Sequence, residues 1–98
     1  MLFVVQFRDN PEMRHLRPKL LPAHLEFLTK NEATVRAAGS LRVDGDDRAI
    51  GGMWIVDAKS FEEVKSLYSE DPFWTSGLRA SVEVHRYAKA FPEIEKPV

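Results

Sequence analysis

The sequence predicts an α+β domain: a ferredoxin-like βαββαβ plait, with an antiparallel four-stranded sheet carrying two helices on one face. Two observations lead there. Four short runs rich in β-branched and aromatic residues alternate with two helical stretches in that order. The first and third runs are apolar on both sides. Leu2 and Val4 oppose Phe3, Val5 and Phe7, while Met53 and Ile55 oppose Trp54 and Val56. Central strands look like this when both faces are covered. The second and fourth runs carry Thr34, Arg36, Glu83 and His85, which suits edges. The spatial order expected is fourth, first, third, second. Two helices cover one face of such a sheet and leave the other without a layer. Self-association supplies that layer at least cost, so a two-fold homodimer is expected.

The elements follow in order. Residues 2–7 form the first strand, closed by a turn at Arg8-Asp9-Asn10-Pro11. Residues 12–17 are a polar approach with no assignable conformation. A helix runs from Pro18 to about Asn31; Pro18 suits its opening turn, while Pro22 predicts a late start or a kink. Residues 33–41 form the second strand, and 43–49 a surface loop too long for a tight hairpin. Residues 51–56 make the third strand. Ser60-Phe61-Glu62-Glu63 is a capping-box signature opening a second helix, whose stripe is Phe61, Val64, Leu67 and Tyr68. Asp71-Pro72 ends it, because a residue before proline is pushed out of the helical region. An aromatic connection, Phe73 to Gly77, leads to a last strand over 81–87. Residues 91–98 read as a C-terminal arm on one domain spanning 1–98.

Composition narrows the function classes. Fourteen Lys+Arg against fifteen Asp+Glu give a net charge of −1, which argues against a nucleic-acid partner. With no cysteine, thiol nucleophiles, disulfides and thiolate metal sites are excluded. No apolar run approaches the roughly 20 residues of a membrane span. The opening Met1-Leu-Phe-Val-Val reads as a strand and not a leader, so the cytoplasm is the expected location.

The chemistry centres on His24. At about 100° per residue it falls inside the apolar arc of Leu16, Leu20, Phe27 and Leu28, with Leu21 at the margin. An inward imidazole needs a hydrogen-bond partner, because an unpaired buried polar group is costly. A bland reading gives that role to a backbone carbonyl or a water; a functional reading gives it to a carboxylate. Asp71 is a candidate, since the break at Pro72 frees its side chain, although an ordinary turn carboxylate fits the same pattern. Other residues carry weaker signals. His15 and His85 sit on polar or mixed segments, and a metal site from His24, His85 and Asp71 lacks ligand spacing. Asp44, Asp46 and Asp47 lack the calcium-loop frame. Gly51-Gly52 enters a strand without the lysine of a phosphate loop. Trp54, Phe73 and Trp74 read as core or interface, and Arg36, Arg42 and Arg48 as surface charge. No cofactor or metal is expected.

Leu2-Phe-Val-Val-Gln-Phe7, Pro22-Ala-His-Leu25, Ala38-Gly39 and Glu70-Asp-Pro-Phe73 resemble the YciI-like (YCII-related) family across nearly the whole chain. The resemblance implies a dimeric α+β barrel with a small-molecule pocket and a His/Asp centre, carried here by His24 and Asp71. It implies dehydrochlorinase-like chemistry, as in some members, or isomerase-like chemistry, as elsewhere in the superfamily. Leu21 stands where many relatives carry arginine, and Gly39-Ser40 where Gly-Pro is usual. Two functions follow as expectations. One is an acid/base enzyme acting on a hydroxylated aromatic or lactone-like molecule through His24 and Asp71. The other is a non-catalytic dimer that binds a small ligand or partner.

Overall fold

A computed structural model describes residues 1–91 and Val98. Its elements are β1 (Leu2–Asp9), a 3-10 turn at Pro11–Met13, α1 (Leu16–Lys30), β2 (Val35–Arg42), β3 (Ala49–Asp57), α2 (Phe61–Tyr68), α3 (Pro72–Thr75) and β4 (Arg79–Arg86). The four strands form one antiparallel sheet in the order β2-β3-β1-β4. This is the ferredoxin-like α+β plait, with the two apolar strands at the centre. Most of the expected arm, residues 91–98, lies outside the described residues.

Alternation along β1 and β3 sorts the core. Phe3, Val5 and Phe7 are buried on one side, joined by Trp54 and Val56 from the neighbouring strand. Val64 and Tyr68 of α2 pack on this cluster, with Phe27 and Leu28 of α1 against its edge. Each such side chain contributes about 1.5–3 kcal/mol by leaving water. The rings meet edge to face, Phe7 on Trp54 and Tyr68 on Trp74 both at 4.9 Å between centroids. On the opposite side Val4, Leu41 and Met53 are half-buried. No described helix covers them.

Local chemistry explains the element ends. Ser60 Oγ accepts the Glu63 N–H at 3.2 Å, and the Glu63 carboxylate reaches back to the Lys59 N–H at 3.3 Å. The capping box thus opens α2, a feature worth about 1 kcal/mol. Three expectations need correction. Helix α1 begins at Leu16, before Pro18, and continues through Pro22 to Lys30, so that proline does not delay its start. The aromatic connection contains a short helix, α3, with Asp71 as its cap and Pro72 in its first turn. Proline is at home there because its missing N–H would have no helical partner. Strand β4 starts at Arg79 instead of residue 81. A charged residue hides a strand start, but Arg79 pairs with Asp9 across a bulge in β1 and is buried.

Candidate active site

Helix α1 buries one side chain, and it is His24. Its Nδ1 lies 2.8 Å from Asp71 Oδ1. The two residues are 47 positions apart, brought together where α1 packs against α3. An ionised carboxylate only accepts, so the imidazole Nδ1–H donates. The same Oδ1 accepts the Phe73 N–H at 3.1 Å, and the Asp71 carbonyl accepts from Trp74 N–H at 2.8 Å. Asp71 is fully buried and held at both its side chain and its backbone. The carboxylate therefore cannot turn away from the ring. His24 stacks on Phe73 almost in parallel, 3.9 Å between centroids and 6° between planes. The imidazole is fixed in plane and in tautomer. Its Nε2 makes no hydrogen bond among the described residues, and the ring borders an open cleft.

The cleft, of about 360 Å³, lies between α1 and the β2 side of the sheet. That is enough for a single-ring molecule. Leu21, Leu25 and Leu28 form its apolar wall, and Ala38, Ala49 and Trp54 line the sheet side. Leu21, at the margin of the apolar arc read from the sequence, is exposed, as is Leu25 outside that arc. Arg17, Arg42 and Arg79 bring three guanidinium groups to the same space. Arg17, Leu21, His24 and Leu28 are spaced by four, three and four residues, which places them on one helical stripe.

Behind the cleft is a second polar cluster. Asp9 Oδ1 accepts from Arg79 Nη1 at 2.9 Å, and Asp9 Oδ2 from Arg17 Nη2 at 2.6 Å and Nε at 3.1 Å. Arg79 lies over the Phe7 ring at 4.5 Å and the Phe73 ring at 5.1 Å; Arg17 lies over Phe73 at 5.0 Å. Burial lowers the Arg79 guanidinium pKa from the usual arginine value, and the Asp9 carboxylate pushes it back up. Gly52 makes room for this group. A Cβ there would lie 2.9 Å from Arg79 Nη2 and 3.2 Å from the Gly39 carbonyl oxygen.

Asp9, Arg17 and Arg79 were not singled out from the sequence, and Gly52 was weighed there only as part of a phosphate loop and set aside. One signal was present for Asp9: Phe3, Val5, Phe7 and Asp9 continue the same alternation onto the helix side. Reading Arg8 to Pro11 as a turn concealed it. His15 and His85 are exposed, as their surroundings suggested. Arg48 pairs with Asp46, and Arg36 with Asp57, at the surface. Among the described residues no group of three or more His, Asp and Glu side chains is placed to hold a metal ion.

The fold is an α+β plait, and its buried histidine–carboxylate pair borders a cleft of single-ring size. The chain matches the YCII-related domain over residues 1–88 and belongs to that family. It is similar to the 5-chloro-2-hydroxyhydroquinone dehydrochlorinase TftG from Burkholderia phenoliruptrix AC1100, solved with 2,5-dihydroxybenzoquinone. Identity to that protein is 32%, covering 90% of this chain and 94% of TftG, with a TM-score of 0.81. More remote structures share the fold alone. SnoaB, a cofactor-independent oxygenase from Streptomyces nogalater, is 12% identical over 94% of this chain and 96% of its own, with a TM-score of 0.53. A NIPSNAP family protein from Agrobacterium tumefaciens is 13% identical over 97% of this chain and 100% of its own, with a TM-score of 0.51. Among proteins of curated function, none matches the chain in sequence.

Proposed function

We propose that this protein is an acid/base catalyst of the lyase or isomerase type, acting on a small hydroxylated aromatic or lactone-like molecule. His24 Nε2 moves the proton, and Asp71 orients the ring and stabilises its cation. The observation that carries the reading is the 2.8 Å Nδ1–Oδ1 contact, which leaves Nε2 unbonded at the cleft. Charge balance supports it. With a neutral imidazole, Arg17 and Arg79 cancel Asp9 and Asp71. A proton taken from a ligand then leaves the protein one unit positive beside the ligand's new anion. Returning the proton at a neighbouring atom completes an isomerisation; losing it as a leaving group departs with its electron pair completes an elimination. The similarity to TftG makes a chlorinated hydroxyhydroquinone the first substrate to try. The working unit is a homodimer formed through the helix-free sheet face, where Val4, Leu41 and Met53 lie.

Chloride release from 5-chloro-2-hydroxyhydroquinone tests the reaction. His24→Ala and Asp71→Asn should each slow turnover by about 10²–10⁴-fold with the circular dichroism spectrum unchanged. Sedimentation should give a dimer at micromolar concentration, and Met53→Glu should shift it to monomer. A second reading, a ligand-binding dimer without chemistry, gains ground if 2,5-dihydroxybenzoquinone binds the cleft and no turnover occurs.

A further inference from the structure

The polar groups that reach the cleft are unlike those beneath it. Arg17, Arg42 and Arg79 border it, as do Ser40 and His24. The carboxylates beneath, Asp9 paired with Arg17 and Arg79 and Asp71 bonded to His24, are 5% and 0% exposed and do not border it. Asp47 is the carboxylate that does, and it is an exposed residue of the β2–β3 loop. The Asp9 ion pairs are thus oriented with their positive ends toward the cleft and the shared negative end in the core.

The guanidinium groups also keep unspent donors. Two of them share the single carboxylate of Asp9. The side chain of Arg79 is 2% exposed, and its Nε is buried without a hydrogen-bond partner among the described residues. Arg42 makes a hydrogen bond to Ser40 Oγ at 3.1 Å and, among the described residues, no ion pair with a carboxylate. A ligand entering between these groups meets donors on the arginine side. It also meets the lone pair of His24 Nε2, which must take a proton. Its two ends are therefore specified separately: one rich in acceptors and charge, the other bearing an acidic O–H or C–H.

We propose that the ligand binds as an organic anion, a single-ring carboxylate or comparable oxyanion held by Arg17 and Arg42, with its acidic hydrogen turned to His24. This deepens the acid/base reading above and names the charge of its substrate class. Arg42 is the residue that selects it, because its guanidinium is exposed and is not committed to an internal carboxylate. Arg17 is tied to Asp9 and adds the fixed part of the field. Charge-assisted hydrogen bonds are roughly twice as strong as neutral ones, so charge and not shape decides between close analogues.

The test uses two near-isosteres, 2,5-dihydroxybenzoate and 2,5-dihydroxybenzamide. Both are titrated into the intact protein by calorimetry, with backbone amide shifts recorded in parallel. The carboxylate should bind about tenfold more tightly than the amide. Shifts should cluster at residues 38–42 and around His24. Arg42→Gln should cost the carboxylate about threefold, the size expected of an exposed charge pair, and leave the amide unchanged. This variant lies at the surface and keeps the Asp9 cluster, so folding does not confound it. Equal affinity for both probes, no binding of either, or a carboxylate preference untouched by Arg42→Gln overturns the proposal. Failure of the acid/base reading looks different: the parent itself would turn over none of these substrates, while its carboxylate-to-amide ratio and the Arg42→Gln effect stay as proposed.

Discussion

Two buried polar clusters meet at the ring of Phe73, and they are finished to different degrees. In the first, Asp9 is 5% exposed and uses both carboxylate oxygens on Arg17 and Arg79. In the second, His24 Nδ1 is spent on Asp71 while Nε2 makes no hydrogen bond among the described residues, and the ring borders the cleft. The ion cluster is complete at its carboxylate, with its two guanidinium groups at the cleft's border, whereas the imidazole is bonded at one nitrogen alone. Fixing a proton acceptor needs a neighbour that does not move. Phe73 links the two: its N–H holds Asp71 Oδ1, its ring carries His24, and both guanidinium groups lie over it.

The largest effect that would break this contrast is Asp9→Ala. It strands two cations, one of them almost fully buried, and should cost about 3–5 kcal/mol in urea unfolding. A loss under 1 kcal/mol would mean that the cluster does not hold the fold. Gly52→Ala comes next. Its Cβ would meet the Arg79 guanidinium and the Gly39 carbonyl, and overpacking of this kind costs about 1–3 kcal/mol. Gly39→Ala is the control, since a Cβ there meets nothing within 4 Å and should change stability by less than about 0.5 kcal/mol.

Asp71→Asn sharpens the comparison from the other side. The amide oxygen can still accept from Phe73 N–H, so stability should fall by only about 1 kcal/mol. Turnover should fall far more, and that disproportion separates a positioned dyad from a structural tie. The smallest effect is at the surface. Arg48 donates to Asp46 through its side chain and its backbone N–H, and holds that carboxyl at about 2, against an ordinary 3.8. A depressed carboxylate contributes stability above its unfolded pKa and loses it as pH falls through the folded one. An NMR titration should therefore find the Asp46 midpoint near the lower value, moving up toward 3.8 in Arg48→Gln. Unfolding free energy should respond little, because the pair is exposed to solvent.

Much of this arrangement follows from local rules. Alternation in 2–7 and 51–56 placed the central strands, Ser60-Phe61-Glu62-Glu63 opened α2, and Asp71-Pro72 closed it. Helical periodicity alone turned His24 inward, and the need of a buried imidazole for a partner made Asp71 worth naming. These signals are legible because backbone sterics and side-chain periods act over a few residues. The sequence could not by itself decide that Asp71 was that partner, because the pair is 47 residues apart and depends on how α1 crosses α3. Nor could it pair Asp9 with Arg79, 70 residues away, since a charged side chain at a strand end looks like surface until its counter-ion is found. Gly52 is the clearest case. In the chain it is a weak position in a strand, and only the fold lays a guanidinium where its side chain would be. Local order comes from dihedral and hydrophobic preference along the chain, whereas a site comes from charges that desolvate together, and that happens only once the sheet has closed.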